Sequence, residues 1–173
     1  MPDTINGAPV DVYDAAIIGA GPAGLSAALT LRAHNKTILW LGNDQLSMKV
    51  EKAELIANYA GVLPLPGNEL NDRFRAQMKE AGLVLVDQKV TQVTKRKKYF
   101  MLLADNDIYK AKTVLFAIGA VNAKGLPGEQ ELLGRGVSYC ATCDGFLYKG
   151  KTIAVVCGEK RFEHEVKYLA EVA

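Results

Sequence analysis

The strongest constraint in this chain is a glycine-rich turn set between two apolar runs. Tyr13-Asp14-Ala15-Ala16-Ile17-Ile18 is a short run of small and β-branched residues, the composition of a buried parallel strand. It leads directly into Gly19-Ala20-Gly21-Pro22-Ala23-Gly24. The G-x-G-x-x-G spacing means little alone, but here a strand precedes it and a helix pattern follows, with Leu25, Ala28, Leu29 and Leu31 leading to about Ala33. Gly19 suits the tight turn, Gly21 lets backbone approach a pyrophosphate, and Gly24 lets helix and strand sit close. Pro22 fits a helix's first turn, where its missing N–H costs nothing. The remaining N–H groups of that turn point toward phosphate oxygens. The stretch therefore predicts a dinucleotide site on an α/β fold.

The following residues extend the pattern. Thr37–Leu41 reads as a second strand, and an acidic side chain is expected at its end to accept from ribose hydroxyls. Gly42-Asn43 stands there, with Asp44 one position later, so Asn43 or Asp44 is the candidate. Pro64 and Pro66 break any helix before Asn68. Glu69–Ala81 then predicts a helix with Leu70, Phe74 and Met78 on its apolar face and Gly82 as C-cap. Leu83–Val86 reads as another central strand. Three short strands, Val90–Thr94, Tyr99–Leu103 and Ile108–Lys112, predict a β-meander layered over the parallel sheet. Val114–Ala120 reads as a fourth parallel strand, with Gly119-Ala120 at its carboxyl end where backbone approaches a ligand. Gly125, Pro127 and Gly128 give linker composition, which places a domain boundary after residue 120.

The second motif is Cys140-Ala141-Thr142-Cys143-Asp144. Two intervening residues bring the sulfurs together on the first turn of a helix, and such pairs cycle between dithiol and disulfide. Three cysteines are too few, and odd in number, for a secreted disulfide framework, which points to catalysis, redox sensing or metal binding. A zinc knuckle from Cys140, Cys143, Cys157 and His164 has suitable ligand types but leaves Asp144 without a role. Cys157 reads as a small buried residue, Thr142 as helix packing, Tyr139 as a core or rim aromatic and His34 as a helix-end neighbour. Thr152–Val156 predicts a strand opening a second α/β unit, followed by a helix from about Arg161. One strand cannot bury its own edges, so a longer protein is expected.

Charge and hydropathy narrow the function classes. With 21 basic against 19 acidic residues the net charge of +2 gives no nucleic-acid footprint. The one basic cluster, Lys95-Arg96-Lys97-Lys98, sits where a solvated hairpin turn is expected. No apolar run is long enough to span a bilayer. The N-terminus lacks a basic-then-apolar leader, so an intracellular, cytoplasmic protein is expected. Residues 1–12 carry no periodicity and read as a mobile arm.

The segments Gly19–Gly24, Ala117-Ile118-Gly119-Ala120 and Gly136-Val137-Ser138-Tyr139-Cys140-Ala141-Thr142-Cys143-Asp144-Gly145 closely resemble the low-molecular-weight thioredoxin reductases. The resemblance spans residues 13–173. It implies a flavoprotein fold with two dinucleotide-binding domains, built as a three-layer parallel sheet with β-meander. The FAD-binding domain would occupy 13–120, and 121–173 would begin an inserted redox-cysteine domain that is degenerate and incomplete. It also implies a homodimer, FAD as cofactor and thioredoxin or a similar protein disulfide as partner. Gly19, Gly21 and Gly24 would contact the FAD pyrophosphate, Asn58 would lie near the flavin, Val90 by the adenine, and Gly119-Ala120 at the crossover. Cys143 would be the flavin-proximal sulfur, Cys140 the exchanging one, and Asp144 the acid–base group.

One departure from that family has a functional consequence. NADPH-dependent relatives follow the later strand with G-G-G-D-[ST]-A, whereas this chain has Cys157-Gly158-Glu159-Lys160-Arg161-Phe162. Glu159 sets a carboxylate where bare backbone would meet phosphate, and Phe162 fills a small residue's place. The expected donor is therefore a reduced protein such as ferredoxin, as in ferredoxin-dependent flavin thioredoxin reductases. NADPH use through a non-standard loop that employs Lys160 and Arg161, and a non-enzymatic flavin/disulfide sensor, remain as alternatives.

Overall fold

A computed structural model describes residues 4–5, 8–9, 11–119 and 125–173. They belong to two compact units, one drawn from Met1–Glu51 and Leu70–Val121, the other from Lys52–Glu69 and Asn122–Ala173.

In the first unit β1 (Thr4–Ile5) pairs antiparallel with β2 (Ala8–Pro9), inside the stretch expected as a mobile arm. Next come β3 (Tyr13–Ile18), α1 (Pro22–Ala33), β4 (Ile38–Gly42) and the single turn α2 (Met48–Glu51). The helix α3 (Gly67–Glu80) begins directly after Pro66, slightly earlier than the sequence predicts. It ends as expected at Gly82, whose φ of +61° suits a C-cap glycine. The strands β5 (Leu85–Asp87), β6 (Val90–Lys95), β7 (Phe100–Ala104) and β8 (Asp107–Phe116) complete the unit.

Six strands form one mixed sheet in the order β5-β4-β3-β8-β7-β6. The pairs β5–β4, β4–β3 and β3–β8 are parallel, while β8–β7 and β7–β6 are antiparallel. Because side chains alternate along a strand, each parallel strand serves two layers. Ala16 and Ile18 of β3 with Leu39 and Leu41 of β4 join Leu102, Ala104 and Ala111 of the meander in one buried cluster. On the other face Trp40 comes up against Gly24 of α1. Helix, parallel sheet and meander thus make three layers. Gln88, just past β5, ties the meander down by donating to the Asp107 carboxylate (2.6 Å) and accepting from the Tyr109 hydroxyl (2.9 Å).

The strand boundaries at 108–120 need correction. The third meander strand and the fourth parallel strand are one continuous element, β8, which pairs with β7 along its first half and β3 along its second. Lys110 and Lys112 interrupt its apolar pattern because their ammonium groups reach out to carboxylates, Asp11 at 2.8 Å and Asp14 at 2.7 Å. The strand stops at Phe116, so Gly119 lies in the segment beyond it, and Ala120 falls outside the described residues.

The second unit is made of short pieces. It contains α4 (Glu129–Leu132), α5 (Ala141–Asp144), 3₁₀ turns at Gly145–Tyr148 and Lys160–Phe162, and α6 (Glu163–Val172). Isolated bridges join Ile56 to Leu65 and Leu133 to Val137. The strand expected at Thr152–Val156 does not form: the segment pairs with no strand among the described residues, and Val155 and Val156 are exposed. A strand is a paired state, and without a ladder partner its apolar composition cannot produce one. No helix among the described residues is long and apolar enough to cross a membrane.

Candidate functional site

Each unit carries one of the two motifs. In the first, β3 delivers the glycine turn to the carboxyl end of the parallel sheet. Gly19 takes φ +117°, a region that favours glycine, and a Cβ there would strike the Ala117 carbonyl oxygen of the chain leaving β8. A Cβ on Gly24 would run into the Gly19 carbonyl oxygen and lie 3.3 Å from the Trp40 indole nitrogen. These glycines serve close packing. Gly21 is different: its φ of −73° is ordinary, and a Cβ there would meet nothing within 4 Å. The space over Gly21, beside the first turn of α1 with its unpaired N–H groups, is a cradle of the kind a pyrophosphate fills. Pro22 opens α1 as expected, with Ala20 buried behind the turn and Ala23 exposed in the first helical turn.

Trp40 is a site residue that the sequence reading missed. It is fully buried, and its Nε1–H donates to the Gly19 carbonyl at 2.9 Å, which fixes the turn from below. A lone tryptophan in an apolar run signals burial but gives no hint of its hydrogen bond. Gly42 closes the far side, since a Cβ there would stand 2.9 Å from both the nitrogen and the Cβ of Ala20.

At the end of β4, Asn43 is exposed and its side-chain oxygen accepts from the Gln45 N–H at 2.8 Å, forming an Asx turn. Asp44 is exposed on the same turn. Asn71, buried on α3, anchors this loop by donating to the Gln45 carbonyl (3.1 Å) and to Glu51 (2.6 Å). Val90 opens β6 shortly after Asp87, which is level with Gly42 in the sheet, and packs half-buried on the core cluster. The structure therefore brings the glycine turn, the Asn43 loop and the segment leading to Val90 to one end of the parallel sheet. Gly119, at φ +67°, faces open space beyond β8. Asn58 belongs to the second unit, exposed in the loop between Ile56 and Leu65.

In the second unit Cys140 and Cys143 form a disulfide. Cys140 is the N-cap of α5, with its sulfur accepting from the Cys143 N–H at 3.3 Å. The Asp144 N–H donates to the Cys140 carbonyl at 3.1 Å, closing the single turn of α5. Ser138 links them: its hydroxyl donates to the Asp144 carboxylate and accepts from the Cys140 N–H at 3.0 Å. Gly145, buried, allows Tyr168 and Leu169 of α6 to approach, because a Cβ there would lie 3.1 Å from each. Burial, with the Asp144 and Glu54 carboxylates, pushes the Tyr148 hydroxyl above its usual value. The Tyr139 hydroxyl donates to Glu129, and that hydrogen bond first, then burial, raises it in turn.

Several expectations around this motif change. Thr142 is exposed and does not pack the helix, and its hydroxyl stands 3.7 Å from the Cys140 sulfur. Cys157 is exposed rather than buried, because the strand expected to bury it is not formed; its thiol donates to the Glu159 carbonyl at 3.3 Å. Tyr139 stands at the rim, His34 caps α1, and His164 is at the surface. In the degenerate loop Glu159 grips Arg161 at 2.8 Å and 3.2 Å, and the Arg161 guanidinium lies 4.7 Å from the centre of the Phe162 ring.

The model of the pyridine nucleotide-disulphide oxidoreductases matches residues 13–158. Among curated relatives, the thioredoxin reductase of Bacillus subtilis is 38% identical over 94% of this chain and 52% of its own length. That of Peptoclostridium acidaminophilum is 42% identical, again over 94% and 52%. Among solved structures, the Streptococcus pyogenes thioredoxin reductase superposes with a TM-score of 0.80 at 31% identity, covering 94% of this chain and 53% of that one. A ferredoxin-flavin thioredoxin reductase from Clostridium acetobutylicum gives a TM-score of 0.65 at 44% identity, covering 94% and 57%. The chain thus spans about half the length of the curated relatives it matches.

Proposed function

The chain belongs to the pyridine nucleotide-disulphide oxidoreductases, in their thioredoxin-reductase-like branch with an FAD-binding fold, and from that premise we propose that it serves a flavin-dependent protein-disulfide reductase whose donor is a reduced ferredoxin-type protein. The observation that carries the reading is the Cys140–Cys143 disulfide closed on its own helix cap, with the Ser138 hydroxyl bonded both to the Asp144 carboxylate and to the Cys140 N–H. A disulfide so placed accepts two electrons and is re-formed by exchange with a partner.

FAD fits the residues present. Gly21 with the first turn of α1 would hold the pyrophosphate, Gly19 and Gly24 shape the cradle, Asn43 or Asp44 would meet the ribose and Val90 the adenine, while the roles given to Asn58 and to Gly119-Ala120 rest on the family resemblance alone. When bound, the flavin supplies the electron pair that opens a disulfide. In this reading Cys143 takes the flavin side. The Cys140 thiolate attacks the partner's disulfide, whose departing sulfur leaves with the electron pair and takes a proton. Cys143 then attacks Cys140, releasing the second partner sulfur, so that two electrons and two protons pass from dithiol to partner. Asp144 hands on the protons, which departing alkyl thiolates need near neutral pH. Thioredoxin or a protein of its kind is the partner this exchange suits, and a homodimer is the expected assembly.

Two features favour a protein donor over NADPH. The loop 157–162 neutralises its own arginine through Glu159 and stacks it on Phe162, which leaves a carboxylate where a phosphate would have to settle. The ferredoxin-flavin enzyme of Clostridium acetobutylicum also shares 44% identity with this chain. The test is anaerobic reduction of the FAD-loaded protein, followed at the flavin band with reduced ferredoxin and NADPH in parallel. Bleaching by ferredoxin, with NADPH slower by at least about a hundredfold, is the expected result. Rapid bleaching by NADPH would overturn the ferredoxin reading and mean that Lys160 and Arg161, or a segment outside this chain, rebuild the nucleotide site.

A further inference from the structure

Ser138 precedes the redox pair, and neither the spacing of the motif nor the chemistry assigned to Cys140, Cys143 and Asp144 gives it a task. Its surroundings do. The side chain is half-buried, its hydroxyl donates to the Asp144 carboxylate, and the same oxygen accepts the Cys140 N–H at 3.0 Å. The Asp144 N–H in turn reaches the Cys140 carbonyl at 3.1 Å, and the Cys143 N–H reaches the Cys140 sulfur at 3.3 Å. The carboxylate and the exchanging cysteine are therefore tied to one hydroxyl. Without that donor, a carboxylate on a short side chain turns freely about χ1 and χ2, and its time near a leaving sulfur falls accordingly.

We propose that Ser138 is a positioning residue for proton transfer: it aims the Asp144 carboxyl at the sulfur that departs during thiol–disulfide exchange. This rests on the acid–base role given to Asp144 above. Ser138 forms and breaks no covalent bond. The electron pair passes from sulfur to sulfur, the proton passes from the Asp144 carboxyl to the departing thiolate, and the hydroxyl keeps those two groups within reach.

The chemistry supplies a readout that a purely structural role would not move. An alkyl disulfide releases a thiolate that needs a proton near neutral pH, whereas 5,5′-dithiobis(2-nitrobenzoate) releases a stabilised aromatic thiolate that needs none. The full chain is reduced chemically, freed of reductant, and mixed in single turnover with oxidised glutathione or with the aromatic disulfide. No flavin or electron donor is then required. The quantity read is the ratio of the two rate constants, alkyl over aromatic. Ser138→Ala is expected to lower that ratio about tenfold, Ser138→Thr to restore it to within about twofold, and Asp144→Asn to lower it about a hundredfold, in the range of general-acid catalysis.

The Asp144→Asn and Ser138→Ala changes combined should do no more than Asp144→Asn alone, because a positioning residue has nothing left to aim. If Ser138→Ala does not fold, Ser138→Thr and Ser138→Val, which match in shape and differ only in the hydroxyl, make the same comparison. Equal slowing of both disulfides by Ser138→Ala or Ser138→Val would reduce Ser138 to a scaffold, and an unchanged ratio would remove it altogether; either overturns the inference while leaving Asp144 in its role. A ratio unmoved by Asp144→Asn would overturn the acid–base reading, and the Ser138 inference with it.

Discussion

Gly21 and Gly24 sit in one turn yet answer to different demands. A Cβ on Gly24 has no room, since the Gly19 carbonyl already occupies its place, so Gly24→Ala is expected to cost about 2–3 kcal/mol in urea denaturation, as overpacked sites do. A Cβ on Gly21 meets only open space, so Gly21→Ala should cost less than about 1 kcal/mol, the range of an N-cap change. If that space is the pyrophosphate's, Gly21→Ala should nonetheless lower the flavin-to-protein absorbance ratio of the purified protein several-fold. A Gly21→Ala variant that kept its full flavin content would move the cradle elsewhere. The spacing of these glycines and the packing roles of Gly19 and Gly24 were legible in the sequence, but the atoms that enforce them were not, because those depend on which parts of β8 and β4 come to rest beside the turn. Ser138, Trp40 and Asn71 escaped for the same reason: one serine, one tryptophan or one asparagine has no periodicity to announce a hydrogen bond made across the fold.

Elements were legible where local composition and tertiary partner agreed. The strand Tyr13–Ile18 and the helix Pro22–Ala33 fall where small β-branched residues and a proline at the first helical turn place them. The sequence reads Ile108–Lys112 and Val114–Ala120 as two strands where the structure has the single β8, in which Lys110 and Lys112 break the apolar pattern and reach past the sheet to acids. Thr152–Val156 has strand composition but pairs with no strand among the described residues.

Lys112 has a further consequence at this scale. Asp14 accepts from Lys112 at 2.7 Å and from the Thr37 N–H and hydroxyl at 3.0 and 2.9 Å, fastening β3 to β8 and to the start of β4. The lysine's hydrogen bond first, then those of Thr37, hold the Asp14 carboxyl well below its ordinary 3.8. With the folded value depressed, the stabilisation is complete above the unfolded value and is lost as pH falls through the folded one. Asp14→Asn should therefore cost about 1 kcal/mol at neutral pH, a figure discounted because Lys112 is mostly exposed, and the gap to wild type should close as pH falls below about 4. Stability curves of both proteins measured across that window check it. A gap that stayed constant down to the lowest pH would mean that the ion pair contributes nothing.

At the scale of the whole molecule, the proposed function needs one route for electrons, from flavin to the Cys140–Cys143 disulfide and on to a partner's disulfide. The glycine turn and the cysteine motif, from which that proposal starts, were both legible in the sequence, since each is a local pattern with a fixed spacing. The proposal of a protein donor starts from a departure in the sequence, Glu159 and Phe162 standing where small residues belong, and the ion pair and ring stacking around Arg161 give that departure a physical form. Cys157 lies off the route: it is exposed, and its thiol is engaged with the Glu159 carbonyl.

The most direct measurement needs no biological donor. The FAD-loaded protein is photoreduced anaerobically, quenched with an alkylating reagent, and its labelled cysteines are mapped by mass. Flavin reduction followed by two new labels, at Cys140 and Cys143, with Cys157 labelled before and after alike and Cys157→Ser leaving the result unchanged, is what this route predicts. A fully reduced flavin beside an intact Cys140–Cys143 disulfide would contradict it.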